Sequence, residues 1–547
     1  MSEFSLSKIG VINNNENTNK TNKSNNTQNK PIDDSLIKVR MFTQGSRINT
    51  NDQNKINSLR DSQNSVNTQD FSNNIERTAL ENTINNSSLT PQQKETAKKI
   101  LKSISNDNLD DFKKLLGNGL LMKKDSAGIT ILDKMISEPR SEKLGKSKIS
   151  ASDILNQTVH TISNPLSIQQ GDNKGTCGAA TMEYILAKQN PAELVKIIEG
   201  ITSKTQSVPL KNYIGPRMNT SMNLPNNAIP KDNSGRKDID RMIQSSIMNQ
   251  ANLMGANYDN PSDDGGAIAV LGGNSAIPIG KFKDLYQSIS GRGMDDPSCY
   301  LWGESDVAAR VQSAVSKGEN VPVLTSFGGK MAYHWLTAEK MTYDSNGKPD
   351  KIILRNPWGV DDASGAPPRK NLGNGLIEMK WSDFVKILDG AVVAKDLAGK
   401  PSTMPVQAKV DAIKTLMSGY TNGQEEQSIK DMLLNSSPQD LSDILSKLDR
   451  SQIVDELDPK DLAPIMKKLA QNAGVGKNAE HLLRMMQSCN DDKTKAFIQS
   501  MSDQDLKALA SNPKGREALV KAWHNLDDGW TNDSEYKQMD RIKKATG

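Results

Sequence analysis

Strand-forming residues are concentrated in one stretch of this chain. From Val321 to Ala394, short runs of Val, Ile, Leu and Thr alternate with turn signals, whereas apolar residues elsewhere recur at helical spacing. Helices first and strands second within one segment argue for an α+β arrangement, because parallel βαβ units need the two to alternate. Strands are expected from Val321 to Phe327, Tyr333 to Tyr343, Lys351 to Arg355, Leu376 to Trp381 and Gly390 to Ala394. Ser345-Asn346-Gly347 is a hairpin signal between two of them, since Asn and Gly tolerate the left-handed backbone such a turn requires. A turn there places residues 334 and 356 close together across the pair.

The regions around this block differ in kind. Residues 1–90 contain 20 asparagines, mixed with Ser, Thr, Gln and Lys. Such a stretch buries too little apolar surface to offset the entropy lost on ordering, so 1–88 reads as a disordered leader, either a linker or a segment for an export pathway. Order is expected from Thr90-Pro91-Gln92-Gln93, an N-cap, a proline at the first helical position and a glutamine at the third. Residues 89–150 form a helical lead-in, with Ile100, Leu101 and Ile104 at helical spacing and a turn at Asp125-Ser126-Ala127-Gly128. Residues 151–398 carry the mixed pattern. There one helix starts near Cys177 and ends near Asn190, and a second runs from Pro191 to Gly200. Residues 203–300 are rich in Asn, Gly, Pro and Ser and read as loops, and Ser305 caps a further helix. Residues 401–547 are helical throughout. Their starts Ser437-Pro438-Gln439-Asp440, Asp458-Pro459-Lys460-Asp461 and Ser502-Asp503-Gln504-Asp505 look alike, which fits either a repeated array or the shared chemistry of good helix starts.

Charge and composition narrow the functional classes. The 547 residues carry 69 basic and 65 acidic side chains, a balance that gives no reason to expect nucleic acid or an anionic membrane as partner. No run of 18 apolar residues occurs, and residues 1–19 lack the apolar core of a signal peptide. A cytoplasmic protein is expected, or one exported without a cleavable signal. The three cysteines, Cys177, Cys299 and Cys489, form neither a disulfide framework nor a zinc motif. They fit a reducing compartment or a free thiol used in chemistry. No metal and no cofactor is expected. Asp263-Asp264-Gly265-Gly266 reads as a solvated loop in preference to a calcium loop.

The four histidines are His160, His334, His481 and His524, so a thiol has few partners to choose from. Cys177 sits among small residues, Gly175-Thr176-Cys177-Gly178-Ala179-Ala180, at a helix start, where the dipole favours thiolate and free N–H groups can hold an oxyanion. His334 opens a strand. Asn356, 22 residues later in Asn356-Pro357-Trp358-Gly359, ends the next one. A carboxamide beside an imidazole fixes its tautomer, and Trp358 can shield that bond from water. Cys299, Cys489, His160, His481 and His524 have no such surroundings and read as structural.

The order Cys, His, Asn, with Asn-Pro-Trp-Gly at the third site, resembles the papain-like cysteine peptidases, calpains in particular, over roughly residues 165–396. Asn374-Gly375-Leu376-Ile377-Glu378-Met379-Lys380-Trp381-Ser382-Asp383-Phe384 is similar to the calpain strand followed by an Asp-Phe helix. The resemblance implies an α+β papain-like domain and a cysteine hydrolase acting on a protein or peptide through a thioester. Cys177 would be the nucleophile, His334 the base and Asn356 its orienter. Gln170 would complete the oxyanion hole, with Gln169 and Asn173 as substitutes. Four of the six tryptophans, Trp302, Trp335, Trp358 and Trp381, fall in this stretch, where core packing is the ordinary role, and Trp335 and Trp358 are the leading candidates to line a substrate cleft. Gly178 stands where the family places an aromatic residue, and Cys-Gly-Ala-Ala is closer to bacterial peptidases that process leader peptides. The same Cys–His pair serves glutamine deamidases, transglutaminases and acyltransferases. A third reading is a catalytically silent papain-like scaffold that binds a protein partner through its C-terminal helices.

Overall fold

The computed structural model describes residues 68–547 except 137–138, 211–219, 252–257, 264–276, 300–302, 328–332, 360–365, 398–399, 419–420, 422 and 528–532. Most of the expected leader, Trp302, Gly328 to Lys330 and Asp264 to Gly266 therefore lie outside the described residues. The fold is a mixture of helix and sheet, as the α+β reading requires.

The strands are β1 (Ser207–Pro209), β2 (Ser221–Asn223), β3 (Met294–Asp295), β4 (Val321–Thr325), β5 (His334–Tyr343), β6 (Pro349–Arg355), β7 (Arg369–Gly373), β8 (Leu376–Lys380), β9 (Leu388–Ala391) and β10 (Val393–Ala394). Six of them form one antiparallel sheet in the order β7-β8-β6-β5-β4-β9. The turn between β5 and β6 is built as its residues suggest. Asp344 accepts the N–H groups of Asn346 and Lys348 through its side chain, and Gly347 has φ 75°. That turn sets the register, which pairs Thr337 with Arg355 and so brings the start of β5 to the end of β6. Trp335, Leu336, Thr337 and Ala338 are all buried. Successive strand residues face opposite ways, so both faces of β5 are covered here. The helices Cys177–Gln189 and Glu304–Ser316 supply much of that cover.

The lead-in begins with the capping box expected of it. Thr90 Oγ1 accepts the Gln93 N–H and the Gln93 side chain accepts the Thr90 N–H, an arrangement worth about 1 kcal/mol. Its buried Ile100, Leu101, Phe112 and Leu115 belong to the same apolar core as the Cys177 helix and the sheet. A second core, of Ala309 and residues from Met404 to Ile542, is shared by the described helices between Val406 and Thr546.

The structure corrects several sequence expectations. The leader reading extended to residue 88, yet Thr68–Asn86 is helical. Leu80 and Ile84, four residues apart, bury on one face, and Arg77 donates to the Ile104 carbonyl at 2.8 Å. The stretch 203–300 contains the helices Asp238–Ala251 and Ile279–Ser290, both packed on the Cys177 helix. The helix given to Ser305 starts at Glu304, after Gly303, without a side-chain cap.

Candidate active site

Small residues let the Cys177–Gln189 helix enter the core, and every side chain from Cys177 to Ala187 is buried. Ala180 N–H, bonded to Thr176 O at 2.8 Å, closes the first turn, so the N–H groups ahead of it have no helical acceptor. Gly178 is favoured by tight packing. A Cβ there would stand 3.0 Å from Trp335 Cδ1 and 3.1 Å from Ile277 Cβ. The Trp335 ring thus packs against the start of the Cys177 helix.

His334 and Asn356 meet as the hairpin dictates. His334 Nε2 lies 2.9 Å from Asn356 Oδ1, and both residues are buried. The Trp358 backbone N–H donates to the same Oδ1 at 3.1 Å, so that atom is the amide oxygen. Nε2 must then carry the ring proton, and the lone pair is on Nδ1. Asn356 is itself held by its N–H on Gly375 O at 2.7 Å. The Trp358 ring lies 4.3 Å from the imidazole, inclined 34°, and Phe327 approaches to 6.0 Å.

Contact between Gly178 and Trp335 brings the Cys177 and His334 segments together. Thr181 Oγ1 also reaches Trp335 O at 3.4 Å. The backbone N–H groups of Trp335 and Gly178 act on the Cys177 thiol, and among the described residues no hydrogen bond joins it to the His334 ring. Burial pushes the thiol up to about 11. Those N–H groups oppose the rise and the Asp263 carboxylate adds to it. Burial also brings His334 down to about 4, opposed by its bond to Asn356. The resting pair is therefore neutral at pH 7.

Two sequence assignments need correction. Gln170 Nε2 donates to Lys174 O at 2.8 Å and its Oε1 is buried with no partner among the described residues, so this amide closes the loop before the nucleophile. Its own N–H bonds Pro357 O at 2.9 Å, and Arg355 Nη2 reaches Ile168 O at 2.5 Å, a seam that runs residues 168–170 beside 355–357. Gln169 is the exposed glutamine, with its amide against Gly359 of the Asn-Pro-Trp-Gly turn. Trp335 lines no cleft. It is 2% exposed, stacks on Phe282 at 4.4 Å and donates its N–H to Ile277 O. Trp358 is half-buried over the imidazole.

The remaining candidates have structural roles. Cys299 bonds Leu388 O, Cys489 is buried beside Met466, and His160 pairs with Asp111 at 2.7 Å. His481 is buried against Ser442 and Ser446, and His524 meets Trp523 edge-on. The Asp263 carboxylate accepts the Gly175 N–H and the Tyr258 O–H, and the rest of the 263–266 loop lies outside the described residues. Oxygen atoms of Glu426, Asp458 and Asp461 lie within 4.8 Å of one another, but Lys430 already neutralises Asp461 at 2.8 Å. Among the described residues no helix is long and apolar enough to cross a membrane. Comparison with known proteins finds no family model that matches the chain and no curated protein that matches it.

Proposed function

We propose that the chain is a cysteine hydrolase of the papain-like type, acting on a protein or peptide. The observation that carries this reading is the His334–Asn356 bond. With its tautomer set by the Trp358 N–H, it offers an imidazole lone pair on Nδ1, one residue before the Trp335 that packs against Gly178. In this reading Cys177 Sγ bonds to the carbonyl carbon while its proton passes to Nδ1 of His334. The oxyanion is met by the free N–H groups at the start of the nucleophile helix and by the exposed Gln169 amide. His334 then protonates the leaving amine, and water, deprotonated by His334, cleaves the thioester. Because the resting thiol and imidazole are neutral, His334 acts as a general base during attack and not as half of a preformed ion pair.

The same neutrality favours the rival reading, a silent scaffold that binds a protein partner through its C-terminal helices. A peptide library incubated with the full-length chain and with Cys177→Ala, followed by mass spectrometry of new termini, separates the two. Cleavages present only with the unaltered chain are expected. Identical termini from both would end the hydrolase reading, and products joined to an added amine would turn it into an acyl transfer.

A further inference from the structure

The turn Gly171–Thr176 leads directly into the nucleophile helix and contains two left-handed residues, Gly171 at φ 82° and Asn173 at φ 53°. Such a backbone persists when its surroundings over-determine it. Here they do so from residues 232–263, which composition alone presents as loop. The Asp263 carboxylate accepts the Gly175 N–H with both oxygens, at 2.9 and 3.1 Å, and takes the Tyr258 O–H at 2.6 Å. In return the Lys174 ammonium donates to the backbone carbonyls of Asn260 and Asp263 at 2.6 and 2.7 Å. Each segment therefore grips the other's main chain with its own side chain. Beneath this clasp Arg236, with no exposed side-chain surface, bonds Asn260 Oδ1 and Asp232 Oδ2 at 2.6 Å and Gln244 Oε1 at 3.2 Å. A Cβ on Gly171 would fall 2.5 Å from Arg236 Cγ, so only glycine lets the turn lie on the arginine. Thr176 Oγ1 ties the far end of the turn to Gln170 O and to Gln244.

We propose that Asp263 and Lys174 are positioning residues that hold the Gly171–Thr176 turn and, through it, fix where the Cys177 sulfur and the first N–H groups of its helix point. Asp263 acts on the thiol in two ways. Its hydrogen bond to Gly175 N–H sets the geometry, and its negative charge adds to the burial that keeps the sulfur protonated. Two substitutions separate them. Asparagine keeps an oxygen for the Gly175 N–H and removes the charge; alanine removes both. The inference rests on reading Cys177 as the nucleophile, but its test reads the thiol and the turn directly, so it stands or falls separately from the hydrolase assignment.

The experiment uses the full-length chain, Asp263→Asn, Asp263→Ala and Lys174→Met, the last in case the alanine variant does not fold. Amide hydrogen exchange is followed in peptides covering 171–177, together with the rate of Cys177 alkylation by iodoacetamide between pH 6 and 11. Among the described residues, Lys174 bonds the Asp263 carbonyl and Tyr258 its carboxylate, and Arg236 and Asp232 act on Tyr258 in turn. Asp263→Ala and Lys174→Met are expected to exchange at least tenfold faster at 171–177 and to alkylate at least tenfold faster at pH 8. Asp263→Asn is expected to keep slow exchange while its alkylation profile moves to lower pH. Turnover, where measured, falls tenfold or more in kcat for the alanine and methionine variants and is restored by asparagine, with KM within twofold. Wild-type exchange and wild-type alkylation profiles in both Asp263→Ala and Lys174→Met would overturn the proposal, as would an Asp263→Asn profile that coincides with wild type.

Discussion

The neutral resting pair makes a sharp prediction about how Cys177 reacts. A thiol pushed to about 11 is thiolate in roughly one molecule in 10,000 at pH 7, whereas the ordinary value of 9.0 gives about one in 100. Alkylation of Cys177 should therefore run about 100-fold slower than that of a free thiol at pH 7. It should rise about tenfold for each pH unit and level off only near pH 11. The assay is iodoacetamide at fixed excess, with peptide-level mass spectrometry reading Cys177 separately from Cys299 and Cys489, both of which burial pushes up to about 12. A rate that is flat from pH 5 to 9 would mean a standing thiolate–imidazolium pair and would refute the reasoning. The same values bear on mechanism. Moving the thiol proton to an imidazole held near 4 is uphill by on the order of 10 kcal/mol, while a turnover of about 10 per second corresponds to a total barrier of roughly 16 kcal/mol. A free thiolate–imidazolium pair would thus use more than half of that barrier, which favours proton transfer that accompanies formation of the carbon–sulfur bond.

Other outcomes follow from the site and its packing. Asn356→Ala strands the buried Nε2–H of His334 and the Trp358 N–H, a loss of about 1–3 kcal/mol that should lower turnover roughly tenfold to a hundredfold without abolishing it, measured as kcat. Between about pH 6.5 and 4 the unfolded chain binds a proton that folded His334 refuses, so stability falls as the pH drops through that window, by about 3 kcal/mol. Urea denaturation at pH 7 and pH 4 should show this difference shrinking in His334→Gln. Trp335→Ala opens a cavity in the core and should cost about 3–5 kcal/mol, read from the shift in denaturation midpoint. Trp358→Ala should leave stability closer to wild type but admit water to the ring, so that the His334 titration followed by NMR moves up toward 6.5.

Legibility in the sequence depended on whether the determining interaction was local. The start at Thr90 and the Asp344–Lys348 turn are set by neighbouring residues, so both were readable, and the turn in turn fixed the meeting of His334 and Asn356. The helix Asp238–Ala251 was hidden because the Asn, Gly and Pro around it dominate any window that contains it. Strand β7, Arg369-Lys370-Asn371-Leu372-Gly373, has little strand propensity. It is an edge strand that exists by pairing with β8. Trp335 was not separable from a cleft residue by composition, because its stacking on Phe282 and its bond to Ile277 O join positions far apart in the chain. Gln170 was chosen by spacing to Cys177, but spacing does not reveal that Lys174 O would take its amide. The clasp of Asp263 and Lys174 joins residues almost 90 positions apart and leaves no periodic mark at all.

The continuity of the first apolar core has a practical meaning for anyone who wants to cut this chain. A fragment beginning at residue 151 would contain every side chain assigned to the proposed reaction and would look like a tidy catalytic module. It would also leave behind Ile100, Phe112, Leu115 and Leu144, stripping one wall from a continuous greasy interior and presenting the raw face to solvent. Such a fragment should precipitate or bind its own kind, and its inertness would say nothing about the thiol.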